Sequence, residues 1–123
     1  MTDYIRQIDA AITAHDEWKA RLLAAIESGS SEFQPETVRA DHLCEFGKWF
    51  DSLGKESRSS LHVERVGALH AQFHEAAARV LDLALTGHRA QALTSLGFGS
   101  DYTRASVLLV DEMQLWRAEL LRG

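Results

Sequence analysis

His70 and His74 stand four residues apart in His70-Ala71-Gln72-Phe73-His74. On an α-helix that spacing puts two imidazoles one turn apart on the same face, aimed at one point in space. That is half of a tetrahedral metal site. A third imidazole from His15 and a thiolate from Cys44, the single cysteine of the chain, would complete a shell of one sulfur and three nitrogens. Such a donor set suits borderline-soft Zn²⁺ and leaves no coordination position for a substrate. The pattern therefore points to a metal-reading module and not to a catalyst. His42 is the rival to Cys44, although a thiolate is much the stronger zinc ligand. Each residue alone has a plainer explanation: Cys44 as a small buried apolar side chain, His15 as a hydrogen-bonded core histidine.

The elements that must position these residues read as helices. The chain has 123 residues, 46% hydrophobic, with one Pro, and Ala, Leu, Glu and Arg outnumber β-branched types, so local propensity favours helix nearly throughout. One domain spanning 1–123 is expected. A first helix runs from Thr2 or Asp3 to Ser28, with Gly29 beyond its end; its inner stripe is Ile5, Ile8, Ile12, His15, Lys19, Leu22 and Ile26. A second runs from Pro35 to about Leu53, closed by Gly54, with Val38, His42, Phe46, Trp49 and Leu53 on one face. A straight helix there aims Cys44 the opposite way. Either it breaks near Asp41, or Cys44 and Gly47 face a second neighbour.

A third helix begins at Ser59 or Ser60 and reaches Thr86 before Gly87, its apolar face made by Val63, Val66, Phe73, Ala77, Val80, Leu81 and Ala84. His70 and His74 lie on a flank of that face. A short helix, Arg89 to Leu96, precedes the turn at Gly97-Phe98-Gly99, and Ser100 or Asp101 caps a last helix reaching about Leu121. The fold class is all-α, a four-helix bundle with an additional short helix. The last helix carries a stripe of Tyr102, Leu109, Met113, Trp116 and Leu120, with Val107, Leu108, Val110, Leu115 and Leu121 over much of the rest. So wide a surface predicts a homodimer whose interface comes from the first and last helices.

A net charge of −5 and a pI near 5.6 argue against nucleic acid as a partner. No apolar run approaches the ~18 residues that cross a bilayer, and the N-terminus has no signal pattern. A cytoplasmic protein without membrane insertion is expected. One cysteine cannot form an internal disulfide and stays available for metal or redox chemistry. A zinc hydrolase is disfavoured because His70-Ala71-Gln72-Phe73-His74 lacks the Glu of H-E-x-x-H. A purely structural zinc staple is the third reading. His62 and His88 read as surface residues, Asp41 or Glu45 as acceptors for the ligating rings, and Lys48 as a solvated charge able to stabilise a nearby thiolate.

The run Asp41-His42-Leu43-Cys44-Glu45-Phe46-Gly47-Lys48-Trp49, with His15-x-x-Trp18 before it and His70-x-x-Phe73-His74 after it, resembles the chemoreceptor zinc-binding domain family. The resemblance implies zinc ligated by His15, Cys44, His70 and His74, in a helical bundle that commonly dimerises. It further implies a bacterial cytoplasmic regulatory domain that senses zinc or oxidants such as hypochlorous acid. Its expected output is a chemoreceptor signalling region or a diguanylate cyclase; no such region is visible in the sequence.

Overall fold

Glycines and caps punctuate the chain into helices. The computed structural model describes residues 2–40, 44–53 and 60–122, and among these six helices form: α1 (Thr2–Ser28), α2 (Pro35–Arg39), α3 (Glu45–Asp51), α4 (Leu61–Leu85), α5 (Arg89–Leu96) and α6 (Asp101–Arg122). Gly87 takes φ +83°, which lets the His88 amide donate back to the Leu83 carbonyl at 2.9 Å and close α4. Ser100 starts α6 by accepting the Thr103 amide on its hydroxyl at 3.2 Å.

The predicted α4 face is the core. Val63, Val66, Phe73, Ala77, Val80, Leu81 and Ala84 are all buried, and α4 packs against α1, α2, α5 and α6. In α1 the seam is rotated from the predicted one: Ile8, Ala11, His15, Leu22, Ala25 and Ile26 are buried, and Lys19 is exposed. Alanines let α1 approach closely where a lysine would have to carry its charge into the core.

The segment expected as one helix from Pro35 to Leu53 is two. α2 stops at Arg39, where Ala40 turns extended at ψ 90°, and Cys44, extended at ψ 158°, is the N-cap of α3. This break is the first of the two alternatives posed by the sequence. It frees Cys44 from helical geometry, so the sulfur need not point away from the face that carries Phe46. Asp41, His42 and Gly54 lie outside the described residues.

The α6 stripe expected to form a dimer face is buried within the one chain. Tyr102, Leu109, Met113 and Trp116 pack into the core, whereas Val107, Leu108, Leu115 and Leu121 are exposed. The excess apolar surface read from the sequence is real, but its exposed part is the other side of the helix. Leu109 is 0% and Leu108 45% exposed, so Leu109→Ala should lower the unfolding free energy by about 2–5 kcal/mol. Leu108→Ala should stay within about 0.5 kcal/mol. Urea denaturation measures both, and the reverse ranking would place Leu108 in the core.

Candidate metal centre

Three elements meet at one buried point. α1 contributes His15, α4 contributes His70 and His74, and the cap of α3 contributes Cys44. One ligand atom from each of the four lies within 4.8 Å of the others. The three rings are 3%, 2% and 2% exposed in chain order, so each must find partners for its nitrogens inside the protein.

Two of the rings find them in backbone carbonyls. His15 Nδ1 donates to the Ala11 carbonyl one turn earlier at 2.7 Å, and His74 Nδ1 donates to the Val38 carbonyl of α2 at 2.8 Å. A carbonyl can only accept, so both Nδ1 atoms carry the proton and both neutral rings present a lone pair at Nε2. His74 Nε2 lies 3.0 Å from His70 Nε2, and His70 Nε2 lies 3.3 Å from Cys44 Sγ. The three rings are mutually near-perpendicular, at 84°, 88° and 78°. Tetrahedral zinc with usual Zn–N and Zn–S lengths has ligand–ligand edges of about 3.3–3.6 Å. The donor set suits that ion, and the His74–His70 and His70–Cys44 pairs, at 3.0 and 3.3 Å, lie slightly inside those edges.

The local environment favours the ligating protonation state. Burial pulls His15 from 6.5 down to about 4; the Ala11 carbonyl opposes this and the neighbouring His74 adds to it. His70 falls further, to about 2, through burial first and then the charges of His74 and His15. Both imidazoles are thus neutral near pH 7, as metal binding requires. Phe73 and Phe46 wall the rings, with centroids 4.9 Å from His15 and 5.1 Å from His70 respectively. The Gly47 amide donates to Cys44 Sγ at 3.2 Å.

Some expectations are corrected here. Carbonyls of Ala11 and Val38, not Glu45, accept from the ring nitrogens; Glu45 is exposed and lies 3.9 Å from Lys48. Asp41, the other carboxylate expected in that role, and His42, the rival ligand, fall outside the described residues. His62 is not a surface residue. It is half-buried, about two turns before His70 on α4, with its Nδ1 2.6 Å from Glu112 Oε2. His88 is exposed as expected, beside the Thr86 hydroxyl at 2.9 Å. The backbone acceptors carried no sequence signal, since every residue has a carbonyl.

The profile of the chemoreceptor zinc-binding domain family matches residues 15–81, a span that starts at His15 and takes in Cys44, His70 and His74. The chain belongs to this family. Comparison with curated proteins and with solved structures returns no match. Membership in the chemoreceptor zinc-binding domain family makes zinc the cofactor of this fold, and the family is a regulatory, sensory one. No helix among the described residues is long and apolar enough to cross a membrane.

The lowered histidine pKa values set a direction for acid sensitivity. In the unfolded chain these imidazoles bind protons near pH 6.5, whereas in the folded, metal-free protein His15 resists until about 4. The unfolded state binds more protons in that window, so stability is full above pH 6.5 and declines as pH falls toward 4. Urea midpoints in chelator at pH 7.5, 6.5 and 5.5 check this: a plateau and then a drop is expected, and a midpoint that rises on acidification contradicts it.

Proposed function

We propose that the protein is a cytoplasmic zinc-binding regulatory module whose 123 residues act as one domain. One Zn²⁺ per chain is held by His15, Cys44, His70 and His74. Zinc occupancy, or oxidation of the Cys44 thiolate, is its input. The observation that carries this reading is the convergence of one sulfur and three imidazoles within 4.8 Å, with two rings oriented by carbonyls that leave Nε2 facing inwards. Bound zinc would hold Cys44 as a thiolate and tie α1, α3 and α4 together.

The chain's own residues supply the route outward. Cys44 caps α3, so a sulfur that moves or is oxidised changes the acceptor of the Gly47 amide and the first turn of that helix. α3 carries Trp49 and Phe50. The Trp49 ring lies 5.1 Å from Tyr4 near the start of α1 and 6.0 Å from Trp116 in α6; Phe50 lies 6.2 Å from Trp116. A displaced α3 therefore repacks the ends of the two long helices that reach the same pole of the bundle. The output we assign is a chemoreceptor signalling region or a diguanylate cyclase, acting on a homodimer joined partly through the exposed apolar side of α6. A zinc hydrolase gains no support, because the four donors fill a tetrahedral shell.

Two outcomes test the input. Elemental analysis should find one zinc per chain, lost in His70→Ala/His74→Ala and kept in His88→Ala; zinc retained by the double variant would sink the site. Stoichiometric hypochlorous acid should release zinc in step with loss of the Cys44 thiol, read by mass spectrometry. If Cys44 stays reduced while Met1 is fully oxidised, zinc occupancy alone remains as the signal.

A further inference from the structure

A cavity of about 510 Å³ borders the metal centre, with α1 on one side and Phe33, Thr37, Val38 and Cys44 among the described residues on the other. That volume is typical of small-molecule sites. Ala10 and Ala14, one turn apart on α1, create the hollow, and Trp18, Phe33, Val38 and Phe46 wall it. Polar side chains occur at Gln7, Thr37, Arg21 and Glu45, and the Arg21 guanidinium is itself laid over the Trp18 and Phe33 rings at 5.1 and 5.5 Å. Of the four clustered donors, His15 and Cys44 line this cavity and His70 and His74 do not. A molecule seated there meets the one oxidisable donor directly.

We propose that this cavity binds organic hydroperoxides, and that Cys44 reacts with an alkyl or aryl hydroperoxide held in it in preference to hydrogen peroxide. The proposal rests on the redox reading of Cys44 above and names its oxidant class. The sulfur attacks the terminal peroxide oxygen, so that an S–O bond forms as the O–O bond breaks. Sulfur loses two electrons and the peroxide gains them. The hydroperoxide proton leaves with the alkoxide as an alcohol, and Cys44 becomes a sulfenate. An apolar tail displaces water from Trp18, Phe33 and Phe46, which favours its binding. Hydrogen peroxide has no tail to bury, and an ionised reagent would lose hydration on entry.

The zinc-loaded, reduced full chain is mixed with cumene hydroperoxide or with hydrogen peroxide, and Cys44 sulfenate is trapped and counted by mass spectrometry. Each rate is divided by that of N-acetylcysteine with the same peroxide, which removes intrinsic reactivity. The corrected preference for cumene hydroperoxide should be about tenfold or more, given the apolar area an aryl tail can bury. Ala14→Leu and Ala10→Leu fill the hollow from exposed positions on α1. Both should bring the preference down to that of the free thiol while bound zinc and the hydrogen peroxide rate stay unchanged. The second variant, farther from His15, keeps the comparison valid if Ala14→Leu disturbs zinc. A wild-type preference equal to the free thiol's, or a preference surviving in both variants, overturns the proposal. Failure of Cys44 to react with any peroxide or with hypochlorous acid overturns the redox reading as well.

Discussion

Burying three imidazoles is unfavourable unless each nitrogen has a partner, and that requirement organises the centre of this molecule. His15 meets it for Nδ1 within α1 by reaching back to Ala11. His74 cannot meet it within α4 and takes the Val38 carbonyl instead, which pins the five-residue α2 against α4. Arg39 adds an ion pair to Glu75 at 3.0 Å beside that bond, a surface contact worth little alone but aligned with it. Inside the cluster His74 Nε2 meets His70 Nε2, and His70 Nε2 meets Cys44 Sγ.

Bringing a sulfur to this point imposes a second constraint. α3 has seven residues, too few to persist as an isolated helix in water. Its start is fixed by Cys44, and its body by Phe46, Trp49 and Phe50, whose rings reach His70, Tyr4 and Trp116. This short helix is thus suspended between the metal centre and the junction of α1 with α6. A change at the sulfur acts on an element with little stability of its own, while α4, which supplies more of the core than any other helix among the described residues, stays in place.

What could be read from the sequence follows from this division. The seven apolar positions of α4 were legible because a long helix repeats its period many times, and α5 because glycines bracket it closely. The α1 seam was misread at Lys19 because hydropathy undervalues Ala11 and Ala25, residues chosen there for close approach. The break after Arg39 was visible only as a contradiction, a cysteine aimed away from the face of its own helix. On α6 the apolar excess was legible, but periodicity could not say which half faces α4. Chemical identity did better than geometry: the four residue types named the donor set, and the chain then folded them to one place. The carbonyls that orient two of the rings could not be named without coordinates.

The surroundings of the cluster also bear on whether it does chemistry on a substrate. Metal-assisted hydrolysis needs a carboxylate or similar base beside an open coordination position. Ala71 occupies the place of the glutamate in H-E-x-x-H, and it is exposed. Of the carboxylates adjacent to the clustered donors in sequence, Asp16 is exposed, Glu75 pairs with Arg39 at 3.0 Å and Glu45 with Lys48 at 3.9 Å. Glu112, the buried carboxylate among the described residues, is held by His62. Aromatic rings wall the centre, and the two changes of state proposed for it are gain or loss of its metal and oxidation of its sulfur. Under the proposed function, either change alters how α1, α3 and α4 are held together, and the output is a rearranged bundle.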